Sequence, residues 1–322
     1  MPLLEVNGLR TSFRLEDGRE ARAVDGASFS LEAGRTLGLV GESGSGKSVT
    51  ALSIMGLVAQ PPGRIAGGEI LFEGEDLLKA RPERLRELRG SRIAMVFQEP
   101  MTSLNPAFTI GEQISEVLLA HKKVGREEAR KQAIEMLRQV RMPSPEARYG
   151  EHPHRLSGGM RQRAMIAMAL ACRPKLLICD EPTTALDVTV QAQILELMRT
   201  LRDETGTAIL LITHALGVVA EIADEVAVMY AGRIVERAPA AELFSEPQHP
   251  YTIGLLGSMP RLAALGARLA AIEGQVPDPA APLDGCRFRP RCPFAIAWCE
   301  EREPRLEALS EKHHAACWRA PL

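Results

Sequence analysis

The chain has 322 residues, 45% of them hydrophobic, enough for about two domains with real cores. Its net charge of −2 and 4% aromatic content supply neither the basic footprint nor the stacking platforms of a nucleic-acid binder. No run approaches the ~18 apolar residues that span a bilayer, and the opening Met-Pro-Leu-Leu-Glu lacks the basic flank and apolar core of a secretory signal, so a cytosolic chain is expected.

Short strands with tight turns are predicted over 3–6, 11–15, 27–31, 36–40 and 69–72, with turn signals at Glu16-Asp17-Gly18 and Glu32-Ala33-Gly34. Between the apolar strand 36–40 and a helix over 49–55 runs GESGSGKS, from Gly41 to Ser48, which fits G-x-x-x-x-G-K-[ST] at every fixed position. A glycine-rich turn at a helix start exposes consecutive backbone N–H groups at a positive end, a cradle for phosphate oxygens. Gly41, Ser43, Gly44, Ser45, Gly46 and Val49 are the expected cradle, Lys47 reaches the β/γ-phosphates, and the Ser48 hydroxyl holds Mg²⁺. A merely flexible Gly/Ser loop does not explain a Lys-Ser pair at this offset.

An apolar strand over 92–97 follows, then helices over 111–123 and 126–141 with apolar residues at three- and four-residue spacing, ended by Pro143 and Pro145. The second half alternates: a helix over 159–171, a strand over 175–179, a helix over 189–203, a strand over 208–213, a short helix, and strands over 225–230 and 233–236. Such alternation argues an α/β fold with a mainly parallel sheet covered on both faces, ligands binding at its carboxyl end. After about residue 258 the pattern decays into an Ala/Leu stretch and a Pro-rich linker, QVPDPAAP over 275–282, leading to a small cysteine-bearing tail.

The apolar run 176–179 ends abruptly in Asp180-Glu181. Carboxylates at a core edge need a cation. Beside a phosphate loop that cation is Mg²⁺, partnered directly or at one remove by Asp180, while Glu181 polarises the attacking water as general base. Ser157, Gly158 and Gly159, in LSGGMRQR, open the helix over 159–171 and make a second anion site; simple N-capping by Ser157 is the other reading. Of the six cysteines, Cys172 and Cys179 lie in apolar stretches and read as core residues. Cys286, Cys292, Cys299 and Cys317 crowd into the tail, where a reducing cytosol favours metal binding over disulfides. Their C-x5-C-x6-C-x17-C spacing does not match short zinc knuckles and suits an iron–sulfur cluster; His313 and His314 keep a Cys/His zinc site open, and four reduced thiols in a small core are the third reading.

These motifs, in this order, make the chain resemble the ATP-binding subunits of ABC transporters, with Met160 where the family signature commonly has glutamine. The resemblance implies an ABC-type P-loop NTPase fold over 1–258, with an antiparallel β subdomain and a helical subdomain over about 100–171, followed by an extension over 259–322. It makes Gln98 the Q-loop glutamine that contacts Mg²⁺ and the attacking water, Ala185-Leu186-Asp187 the D-loop, and His214 the switch histidine at the γ-phosphate. Phe13 is the candidate for stacking on adenine, an ordinary strand aromatic being the alternative. Ala215 departs from the family's usual aspartate, which forgoes about 0.3–1 kcal/mol of acid–helix interaction.

FQEPMTSLNP over 97–106, HPYTIGLL over 249–256 and the cysteine tail look like the oligopeptide/dipeptide and nickel importer branch, whose members are similar in carrying a [4Fe–4S] cluster. The resemblance therefore implies ATP, Mg²⁺ and that cluster as cofactors. It also implies a second ATPase subunit of a different chain, two transmembrane permease subunits and an external solute-binding protein as partners, at the cytoplasmic face of the inner membrane. A soluble ABC-type ATPase acting on nucleic acid, ribosomes or iron–sulfur assembly is the rival reading. The Pro-rich linker predicts that the tail leaves the chemistry at Lys47 and Glu181 untouched.

Overall fold

The computed structural model describes all residues except 100–102, 185, 260–271 and 282–283. Pro100, Met101 and Thr102 of the Q-loop segment, Ala185 of the D-loop, most of the Ala/Leu stretch and Pro282 therefore lie outside the described residues. The chain divides into two compact units, each gathered from separate segments. The first comprises Met1, Glu32–Arg35 and Lys79–Leu211; the second comprises Pro2–Leu31, Thr36–Leu78 and Ile212–Leu322.

The second unit begins with strands β1 (Leu4–Arg14) and β2 (Glu20–Leu31). Where the pattern predicts two strands over 3–6 and 11–15, there is one, bent by register shifts that begin between Val6 and Leu9. Gly8 takes the left-handed conformation at φ +58° that such a bulge needs, and its N–H donates to Ser28 Oγ at 2.8 Å. Strand β3 (Thr36–Val40) is buried at every residue and feeds helix α1 (Lys47–Ile54). Strands β4 (Gly63–Phe72) and β5 (Glu75–Asp76) complete an antiparallel sheet of order β2-β1-β4-β5.

In the first unit, α2 (Pro82–Leu88) and β6 (Ile93–Val96) precede α3 (Ile110–His121), which a capping box between Thr109 and Glu112 starts. Helix α3 packs on α4 (Arg126–Gln139), burying Ile114 and Leu118 on one and Ala133 and Leu137 on the other. Pro145 does not end a helix, as the sequence suggests, but occupies the first position of a short one, α5 (Pro145–Tyr149), where its missing N–H carries no penalty. Helix α6 (Gly158–Leu170) leads to β7 (Leu176–Asp180), and α7 (Val188–Thr205) leads to β8 (Ala208–Thr213). Strand order within the unit is β8-β7-β6, with β6 and β7 parallel in the register Ile93↔Leu176 to Val96↔Cys179.

The rest of the second unit runs α8 (Leu216–Ile222), β9 (Glu225–Tyr230), β10 (Arg233–Pro239), α9 (Ala240–Ser245), α10 (Pro250–Gly257), α11 (Trp298–Glu301), β11 (Glu307–Ala308) and β12 (His314–Ala315). Strand β9 lies parallel to β3, while β10 and β12 are antiparallel additions, so the sheet is mixed rather than mainly parallel here. The tail is thus built into the sheet: β12 pairs with β10 through Glu236↔Ala315. Its core joins Val40, Val226, Val228, Tyr230, Tyr251 and Phe288.

A fully buried carboxylate, Glu236, pins this corner. It accepts the N–H groups of Gln248 at 2.6 Å and His249 at 2.9 Å and contacts His313 Nε2 at 2.8 Å, which satisfies an acid that burial alone would make very costly. His249 is equally enclosed. Burial pushes its pKa down to about 3, which keeps Nδ1 an acceptor for the Tyr251 N–H at the start of α10. Among the described residues no helix is long and apolar enough to cross a membrane.

Candidate functional site

The strand–loop–helix frame predicted for GESGSGKS is present: β3 ends at Val40, and α1 begins at Lys47. At Gly41 an added Cβ would stand 2.1 Å from the Met229 carbonyl oxygen, so only glycine admits this approach of the loop to β9. The Lys47 ammonium curls over the loop and donates to the carbonyls of Gly41 and Glu42, both at 2.8 Å, and to Ser45 Oγ at 3.2 Å. Lys47 and Ser45 are buried, while Ser43 and Gly44 are exposed at the rim. His214, exposed just after β8, and Phe13, half-buried on β1 opposite Gly63, also belong to this unit. Ala215 occupies the cap position before helix α8 and offers no side-chain cap, and its N–H donates to Thr213 Oγ1 at 3.0 Å.

The first unit holds Gln98, Asp180 and Glu181. Asp180 closes β7 with only 5% of its surface exposed. Glu181, next in the chain, stands in the left-handed region at φ +48°, a conformation that costs a non-glycine residue about 1–2 kcal/mol. Two groups use that turn: Gln98 Nε2 donates to Glu181 Oε2 at 2.9 Å, and Thr184 Oγ1 donates to the same oxygen at 3.0 Å. The pair predicted from opposite ends of the argument, Q-loop glutamine and carboxylate after the strand, is therefore in direct contact.

In the same unit Ser157 caps α6, its Oγ accepting the Met160 N–H at 3.3 Å, and Asp187 caps α7, accepting the Val190 N–H at 2.9 Å. Both helix starts open onto one groove of about 550 Å³, lined by Ser157, Gly158, Gly159, Arg163, Asp187 and Val190 among others. The capping reading of Ser157 is thus met, and the groove lies at the same helix start.

The four tail cysteines are neighbours. Burial, with smaller contributions from Cys299 and Cys292, pushes the Cys286 thiol up to about 11, and burial likewise raises Cys292 and Cys317. Yet among the described residues no three or more His, Cys, Asp or Glu side chains gather closely enough to hold a metal ion, so the expected cluster site is not formed by this geometry. Cys286 and Cys292 flank the short helical turn Arg289–Arg291, Cys299 lies on α11, and Cys317 follows β12. Of the two cysteines predicted for the core, Cys179 is fully buried with its thiol held well above the usual range, whereas Cys172 is only half-buried, its Sγ reaching the Val117 carbonyl.

One expectation is overturned. The tail does not stand apart from the phosphate loop: Arg291 Nη1 and Nη2 donate to Glu42 Oε2 and Oε1 at 2.6 and 3.0 Å, and Tyr251 Oη accepts the Glu42 N–H at 2.8 Å. Glu42 occupies a variable position of the motif, and its partners lie 249 and 209 residues away, so no local signal marks them.

Residues 24–184 match the ABC transporter family, and residues 235–299 match the oligopeptide/dipeptide transporter C-terminal region. The chain is 53% identical over 317 residues to the oligopeptide transport ATP-binding protein OppD of Bacillus subtilis, covering 98% of this chain and 88% of that one. It is 55% identical over 304 residues to AppD, an oligopeptide transport ATP-binding protein of the same organism, covering 94% and 92%. Among solved structures it resembles the ATP-binding cassette MJ0796, described as a dimer in a post-hydrolysis state bound to ADP and Pi, with a TM-score of 0.67, 25% identity and coverage of 74% of this chain and 98% of that one.

Proposed function

This chain belongs to the ABC transporter ATP-binding family and is an ABC ATPase, and from that premise we propose that it powers the import of di- and oligopeptides. The observation that carries the reading is that the likeness to peptide-transport ATP-binding proteins runs through both the phosphate loop and the extension. The ATPase domain is assigned to 1–258 and the importer-type extension to 259–322. Two membrane-spanning permease subunits, an external solute-binding protein and a second ATPase chain of different sequence complete the assembly, with this subunit at the cytoplasmic face of the inner membrane.

In this reading Gly41, Ser43, Gly44, Ser45, Gly46 and Val49 cradle the ATP phosphates and Lys47 contributes the positive charge at the β/γ-phosphates. Ser48, Asp180 and the amide oxygen of Gln98 are oxygen donors of the kind Mg²⁺ prefers, and the ion would neutralise charge on the phosphates. Glu181 takes the proton as water oxygen attacks the γ-phosphorus and the bond to the β-phosphate oxygen breaks, giving ADP and phosphate. Gln98 fixes the carboxylate that does so. His214 is assigned to the γ-phosphate and Phe13 to the adenine face. Ser157, Gly158 and Gly159 serve the nucleotide bound by the partner ATPase, which makes the working state a head-to-tail dimer.

A tagged chain purified from membranes of its source cell should bring down two polytopic membrane proteins and one further ATPase, and deletion of its gene should abolish uptake of labelled oligopeptides. Recovery of nucleic acid or ribosomes without membrane proteins would instead favour the soluble rival, against which the net charge of −2 already speaks.

The [4Fe–4S] assignment is part of the same proposal. What supports it is the chemistry of four free thiols, Cys286, Cys292, Cys299 and Cys317, within one short extension; as described they are not drawn together as a metal site, so the cluster would have to gather them. Anaerobically purified protein should be brown and hold about four iron and four sulfide per chain, and Cys292→Ser or Cys317→Ser should remove the colour. Stoichiometric zinc without iron, or no metal at all, would overturn it.

A further inference from the structure

Glu42 poses a problem for the loop it belongs to. A carboxylate beside a cradle of N–H groups repels the phosphate that the cradle exists to bind, and in a partly buried setting that repulsion is weakly screened. The second unit answers with a cation from the extension. The Arg291 guanidinium meets Glu42 as a two-pronged fork, and its side chain is only 4% exposed.

The remaining donors of Arg291 are also committed. Nε donates to the Glu273 carbonyl at 2.9 Å, and Nη2 donates to the Ile272 carbonyl at 3.2 Å. The guanidinium carbon lies 5.8 Å from the Tyr230 ring centre and 6.0 Å from that of Phe288. Tyr230 in turn packs at 4.6 Å on Tyr251, whose hydroxyl oxygen receives the Glu42 N–H. An aromatic corner shared by β9, α10 and the extension thus grips both the backbone and the carboxylate of a single loop residue.

We propose that Arg291 is a positioning residue for ATP: by neutralising and anchoring Glu42 it holds the phosphate loop receptive, so that nucleotide affinity depends on the folded C-terminal extension. This rests on the reading of residues 41–48 as an ATP phosphate loop. The extension then has a task toward this chain's own active site, besides any toward membrane partners.

The test is equilibrium binding of Mg-ATP to the full-length chain, with thermal unfolding followed in parallel. Arg291→Gln keeps hydrogen-bonding capacity but removes the cation, and should weaken ATP binding about tenfold. Glu42→Gln alone supplies the fourth corner of the double-mutant cycle. The double variant Glu42→Gln/Arg291→Gln should return to within about threefold of the parent, because the unpaired carboxylate is gone. A residue that only props up the extension would show no such rescue.

Parental ATP affinity in Arg291→Gln, or a double variant as weak as the single, overturns the proposal. If Arg291→Gln does not fold, Arg291→Met, which keeps an apolar stem against the Tyr230 and Phe288 rings and removes the cation, replaces it under the same two criteria. Lys47→Ala separates the premise from the inference: it should lose ATP binding whatever Arg291 does. If Lys47→Ala binds ATP normally, the phosphate-loop reading falls, and the role of Arg291 falls with it.

Discussion

Glu181→Gln is expected to bind Mg-ATP within about twofold of the parent chain and to hydrolyse it 10²- to 10⁴-fold more slowly, the range a lost general base accounts for. The substitution is nearly isosteric, so the left-handed turn at residue 181 and the short reach to Gln98 and Thr184 can survive it. What changes is charge and basicity. A neutral amide cannot accept a proton from water, and one of its two terminal atoms becomes a donor where Gln98 and Thr184 already donate. The assay is single-turnover hydrolysis on protein saturated with ATP, which keeps binding out of the rate. Because ATP persists uncleaved, the variant should also accumulate an ATP-bound dimer. Turnover close to parental would show that Glu181 is not the base and would leave its strained conformation without a catalytic explanation.

Ser157→Arg should abolish ATP-driven dimerisation and steady-state turnover while leaving ATP binding at residues 41–48 nearly intact. The groove shared by α6 and α7 has room for a ligand, about 550 Å³, and an arginine at its lip would fill it with a bulky cation that the partner's nucleotide must displace. The change also removes the cap on Met160, worth about 1 kcal/mol of helix stability. Ser157→Asn isolates that contribution, since asparagine caps as well as serine does but adds little bulk. Light scattering with and without ATP, on both variants, reads the result. The head-to-tail dimer fails if Ser157→Arg still dimerises on adding ATP; a cap effect alone is indicated if Ser157→Asn loses dimerisation equally.

The elements that carry the candidate site were legible from sequence wherever the pattern is local. Strand β8, Ala208–Thr213, and strand β9, Glu225–Tyr230, have the bounds the apolar pattern predicts. The helix after the phosphate loop starts only two residues before its predicted position. Beta structure with a bulge was less legible: the predicted strands over 3–6 and 11–15 leave Gly8 between them, although hydrogen bonding to both neighbours carries one strand through. The short helices α2, α5 and α9 lack the length over which a 3.6-residue period can be recognised, and proline punctuation misled at α5.

By itself the sequence determined the parts whose function follows from adjacency. These are a glycine turn locked between β3 and α1, a lysine aimed back into its own loop, serine and aspartate capping the helices they precede, and a carboxylate pair at the end of an apolar strand. In each case neighbouring residues share one backbone path, so spacing fixes geometry. The tertiary structure decided what no spacing encodes. It brought Gln98 onto Glu181 across 83 residues, and it laid β12 against β10 so that the extension joins the sheet. It closed Arg291 on Glu42 across 249 residues, reversing the expectation of an independent tail. Such pairs form only when the packing of whole strands and an aromatic core has set the direction of each side chain, and a polar contact of a few ångströms depends on all of that packing at once.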